Sequence, residues 1–200
     1  MQSLKYWPLA LLTSCASFNF NSGATVTYSP ELFMPISFVE NKSHLALNIH
    51  FPPLQKIKEQ LEATLPMPLK NRGEAHITVI TPPEYEKLKN FLSLAQINAL
   101  AVQHNIQQSA FTPVCIGRGR LQIEGREEST YFMVLDSKDL LKFRSAIKSA
   151  FIAAGGASKD FDENLFFPHI TVGFTKRDLH YEDGIIKDKS SCWRNLAQGV

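Results

Sequence analysis

The chain has 200 residues, 44% apolar and 20% charged, with 21 basic against 19 acidic side chains for a net charge of +2. This suits one soluble globular domain with a core of its own. The near-neutral balance excludes a polybasic nucleic-acid coat and argues against a duplex-DNA footprint, but leaves room for a small charged ligand or an RNA end.

In chain order, residues 1–15 read as a targeting segment. Lys5 is the only charge among the first thirty residues, Tyr6 to Leu12 form a short apolar run, and Leu12-Thr13-Ser14-Cys15 follows. The pattern resembles a bacterial lipoprotein signal, with Cys15 as the lipid-modified residue and the envelope or periplasm as the compartment. The same stretch also fits a loose N-terminus or a first strand, which would leave a cytoplasmic protein, and it is far too short to span a membrane. Residues 16–40, rich in Ser, Asn and Thr, read as a tether or irregular lead-in.

Periodic structure starts at His44. Alternation over residues 44–51 predicts a strand, and Pro52-Pro53 opens a helix carrying Leu54, Ile57, Leu61 and Leu65 on one face. Gly73 turns the chain into a strand over 75–80. Thr81-Pro82-Pro83-Glu84 has the form of a capping box and predicts a helix over 82–94, followed by a helical stretch over 96–104. Residues 111–123 read as a strand region broken at Gly117 and Gly119, residues 125–128 as a turn, and residues 130–135 as a strand. Ser137 begins a helix that ends at Gly155-Gly156. A last strand spans 166–174, and residues 181–200 read as a polar tail.

Two four-residue segments repeat: His76-Ile77-Thr78-Val79 and His169-Ile170-Thr171-Val172. Each closes a strand–helix–strand unit, and they lie 93 positions apart. On a strand the His and Thr share one face, about 6.6 Å apart, while the apolar pair faces the other way. Two such strands brought together present two imidazoles and two hydroxyls to one pocket. Imidazole titrates near neutrality and suits both proton transfers at a phosphodiester. Thr78 and Thr171 can donate to the non-bridging phosphoryl oxygens. The duplicated units predict two similar lobes about an approximate two-fold axis. A single such histidine would more readily be a core residue bonded to a backbone carbonyl.

With its Phe-Pro-His-Ile-Thr-Val-Gly context around the second copy, the sequence resembles the 2H phosphoesterase superfamily over about residues 44–176. The resemblance implies an α+β fold of two lobes, with pseudo-two-fold related antiparallel sheets flanked by helices, within a domain at 41–180. It implies His76 and His169 as the catalytic pair and Thr78 and Thr171 as phosphate ligands. It also implies chemistry on 2′,3′-cyclic phosphates, 2′,5′ linkages or RNA 3′ ends, without choosing among them.

Other residues carry weaker signals. Tyr131 and Phe167 can stack on a base or sit in the core, and Arg118 and Arg120 can add charge to a cleft or stay solvated. His50 ends the first strand without the motif, and His44, His104 and His180 read as surface or capping residues. An oxidising compartment would allow a Cys115–Cys192 bridge, though two free thiols fit equally well. No CxxC, HExxH or calcium-loop pattern calls for a metal, and no cofactor or obligate partner chain is indicated; the chain reads as a monomer. Two readings compete with the enzyme: a module that binds a nucleotide or RNA end without turnover, and an envelope lipoprotein with an assembly role.

Overall fold

The structure, a computed structural model, describes residues 24–199; the signal-like segment and Cys15 lie outside them. The strands are β1 (Val26–Tyr28), β2 (Leu45–Asn48), β3 (His76–Ile80), β4 (Thr112–Ile123), β5 (Arg126–Asp136), β6 (His169–Phe174) and β7 (Cys192–Gln198). The helices are α1 (Phe51–Glu62), α2 (Pro82–Leu88), α3 (Leu94–Gln103) and α4 (Lys138–Ala153). The strands form one mixed sheet in the order β1-β7-β4-β5-β6-β3-β2, an α+β architecture.

The two anticipated lobes are present, but their sheets are not separate. The four strands β5-β6-β3-β2, at one end of the sheet, are symmetric in order: each motif strand pairs with the first strand of its own unit on one side and with the other motif strand on the other. The seam is antiparallel, with Ile77 opposite Ile170. Beyond β5 the sheet continues into β4, β7 and β1, so the second half is wider than the first.

The helices owe their limits to local chemistry. Prolines occupy the first turn of α1, and Leu54, Ile57 and Leu61 are buried on one face. The expected capping box holds: Glu84 N–H donates to Thr81 Oγ1 at 3.3 Å, and Thr81 N–H to Glu84 Oε2 at 2.8 Å. α2 stops earlier than its pattern predicts, because a second capping box, Ser93 with Gln96, starts α3. Gly155, at φ 97°, lies just beyond α4.

Three other expectations are corrected. β4 runs unbroken through Gly117 and Gly119: these glycines make room, since a Cβ at 117 would strike the Phe132 ring and one at 119 would strike Ile185. The turn after β4 is Glu124-Gly125, both at positive φ, so β5 begins at Arg126 instead of 130. The stretches read as tether and tail both contribute strands, β1 pairing in parallel with β7 and β7 with β4. β1 has only three residues, and β7, though longer, has no alternating buried face. Val26 is buried and Trp193 and Leu196 pack on the core, while a Cys115–Cys192 disulfide, Cα–Cα 5.7 Å, ties β7 to β4.

The core fixes which way the motifs face. Ile77, Val79, Ile170 and Val172 are fully buried in one cluster with Ile57, Ile97, Ile147 and other helix residues. The period of two then turns His76, Thr78, His169 and Thr171 to the opposite, accessible side.

Candidate active site

An antiparallel ladder runs its two strands in opposite directions. With Ile77 opposite Ile170, His76 therefore lies across from Thr171, and Thr78 across from His169. The four side chains form a square in which His and Thr alternate, with the histidines on a diagonal whose Cα atoms lie about 7–8 Å apart. All four line one cleft of about 770 Å³.

The two histidines differ in their surroundings. His169 Nδ1 lies 2.7 Å from the Phe167 carbonyl oxygen. A carbonyl only accepts, so Nδ1 carries the proton and Nε2 keeps its lone pair. Burial, reinforced by the nearby Lys187 charge, pushes the His169 pKa down to about 3, which leaves the ring neutral near pH 7. The Phe132 ring packs edge-on against it at 5.8 Å. Burial lowers His76 too, but the Glu74 carboxylate, 3.6 Å from its Nδ1, acts in the opposite direction.

A buried polar cluster sits beside Thr171. Asp178 accepts from Thr130 Oγ1 at 2.7 Å, Lys187 Nζ at 2.9 Å and Thr171 Oγ1 at 3.1 Å. Arg72 and His180 approach it at 3.9 and 4.0 Å. Burial works to raise the Asp178 pKa, but the Lys187 charge and hydrogen bond, with Thr130, bring it below the ordinary carboxylate range. Lys187 is itself 3% exposed.

A second hub fixes the entry to β6. Arg144, 1% exposed, reaches from α4 to both carboxylate oxygens of Glu84 and to the carbonyls of Val79, Asp162, Glu163 and Leu165. Its guanidinium also lies over Phe161 and Phe166. One cation thus clamps the end of β3, the start of α2 and the loop that delivers Phe167 and His169.

Of the weaker candidates, Phe167 lines the cleft, its ring stacked on Tyr181 at 5.9 Å. Tyr131, Arg118 and Arg120 do not. Tyr131 is buried in the main core against Trp193 at 5.3 Å. Arg118, directly opposite it on β4, lies over the same indole, and Arg120 pairs with Glu127. The motif side of β5 belongs to Phe132. His104 caps α3 as expected. His180 is exposed and caps the short 3-10 turn Tyr181–Asp183, as expected, but also lines the cleft. His44, read as a surface or capping residue, lines the cleft too, its ring 5.8 Å from that of His76. Asp178, Lys187, Arg72 and Glu74 carried no motif that would single them out. Among the described residues no cluster of His, Cys, Asp and Glu has the arrangement of a metal site.

Two histidine-bearing strands paired within a mixed α+β sheet, opening on one cleft, define a two-histidine phosphoesterase fold. Residues 43–180 match the family described as Swiss Army Knife, 2H phosphoesterase domain. The chain belongs to this 2H phosphoesterase family. No curated protein and no solved structure matches it.

Proposed function

We propose that the protein is a phosphodiesterase that opens a 2′,3′-type cyclic or 2′,5′-linked phosphodiester on a small nucleotide or RNA end. The observation that carries this is the Ile77–Ile170 pairing, which sets both imidazoles on one face with the hydroxyls between them. The reaction needs one group to take a proton from water and another to give one to the leaving ribose oxygen. His169, neutral with an unprotonated Nε2, is suited to be the base. His76, beside Glu74, is suited to be the acid. Both proton transfers are then served without a metal. Phe167 and Tyr181 at the cleft wall offer aromatic surface for a nucleobase.

The Cys115–Cys192 bridge supports an oxidising compartment, consistent with export and anchoring through a lipidated Cys15. The substrate is then an envelope or scavenged phosphodiester in place of a cytoplasmic RNA end.

The test is a substrate panel in excess chelator: 2′,3′-cyclic nucleotides, 2′,5′-linked dinucleotides and RNA ending in a cyclic phosphate. Turnover of one class that vanishes in His76→Ala and His169→Ala supports the reading. Binding across the panel with no turnover by the wild type would overturn it.

A further inference from the structure

We propose that Lys187 is the cation that binds the phosphoryl group, with Asp178 as the residue that positions it. The inference deepens the reading above and rests on the same cleft.

Burying an ammonium costs several kcal/mol unless its charge and donors are compensated. Lys187 is 3% exposed yet lines the cleft. Among the described residues its Nζ makes one hydrogen bond, to Asp178, and it also lies over the Phe132 ring at 5.4 Å. An ammonium has three N–H donors, so two are left without a protein acceptor. A non-bridging phosphoryl oxygen is the acceptor that a phosphoesterase cleft brings there.

The hydroxyls point the same way. Thr171 has one proton and gives it to Asp178 at 3.1 Å, so while that bond is kept it does not also donate to a phosphate. Thr78 alone is left of the two motif hydroxyls, and the cleft is one donor short of its symmetric design. Lys187 is one carboxylate away from Thr171, bonded to the other oxygen of Asp178, and makes up that deficit with a charge-assisted donor. The other cleft lysine and arginines are placed differently. Arg144 is occupied by Glu84 and four carbonyls, Arg72 is 49% exposed, and Lys87 is exposed, so neither of the last two is a desolvated cation.

The test reads binding apart from turnover. Inorganic phosphate is titrated into the full chain by calorimetry, and the Lys187 ammonium resonance is followed by NMR in the wild type. Phosphate should shift that resonance. Lys187→Gln should weaken phosphate binding about ten- to hundredfold, the range for a charged hydrogen bond, and Lys187→Arg should recover part of it. Asp178→Asn, which keeps the ammonium but frees it, should weaken binding less than Lys187→Gln. An unmoved resonance overturns the proposal even if the variants fail to fold, as does equal phosphate binding by folded Lys187→Gln. Phosphate bound through Lys187 by a protein that turns over no diester would leave this assignment standing and remove the catalytic one. Turnover with no change in Lys187→Gln would do the reverse.

Discussion

Thr171 donates its hydroxyl proton to Asp178, 3.1 Å away, whereas Thr78, its counterpart on β3, has no side-chain partner among the described residues. The repeated motif therefore does not give two equivalent halves. Thr78→Val should lower kcat/KM about ten- to hundredfold through loss of a donor to the developing charge. Thr171→Val should act mainly on stability, by about 1 kcal/mol, because Asp178 keeps its bonds to Thr130 and Lys187. Urea denaturation and initial rates on the two variants check this; equal kinetic losses would contradict the asymmetry.

Removing either imbalanced histidine should be costly in rate and cheap in fold. His76→Ala and His169→Ala should each reduce kcat by about 10²–10⁴-fold, the usual contribution of a positioned acid or base. Both side chains are partly accessible on the cleft side, so melting temperatures should change little. Circular dichroism melts beside the rate assay separate the two effects.

The pH profile should be tilted to the acid side. In the proposed mechanism, turnover needs His169 unprotonated and His76 protonated. His169 meets its condition above about pH 3. His76, held below 6.5 by burial against Glu74, with His44 and Arg72 also opposing its charge, loses its proton before neutrality. The kcat/KM profile should therefore fall as pH rises, on a limb centred below the 6.5 of a free imidazole. Glu74→Gln removes the carboxylate that favours the charged form, so the falling limb should move to lower pH. A profile rising from pH 6 to 8 would reverse the acid and base assignments.

The disulfide should matter to both fold and cleft. Cys115 packs with Phe132 and Val134 on the motif side, and Phe132 contacts both His169 and Lys187. The bridge closes a separation of 77 residues, so Cys115→Ala with Cys192→Ala should cost about 2–4 kcal/mol. A lower melting temperature with reductant, absent in the double variant, is the measurement.

How much of this was legible in the sequence depended on whether a residue sat in a periodic element. The motif strands and their flanking helices show their period, so His76, Thr78, His169 and Thr171 could be placed on one face before any coordinates. Strand parity also decided where reading failed. Tyr131 and Arg118 face each other on the core side of β5 and β4; Tyr131 alternates with Met133 and Leu135 towards the main core, but the continuous apolar run of β5 does not show which of its faces is which. Asp178, His180 and Lys187 sit in irregular chain after β6, and His44 just before β2. Only the tertiary fold returns them to the cleft. The second capping box is present in the sequence as Ser93 and Gln96, but the apolar residues Phe91, Leu92 and Leu94 around it blur the break between the two helices.

The seam between β3 and β6 has a further meaning for how the molecule can fail. A slip of one residue in that ladder would turn one strand's histidine and threonine into the apolar core and its isoleucine and valine out to water. The cost of burying those polar groups unpaired makes that state prohibitive. Neither half of the chain holds a working fragment of the centre, since each contributes one imidazole and the geometry exists only where they meet. If the proposed mechanism holds, competence is all-or-none: a recovered rate during refolding would report the docking of the two halves in correct register, and local helix formation alone would yield no signal.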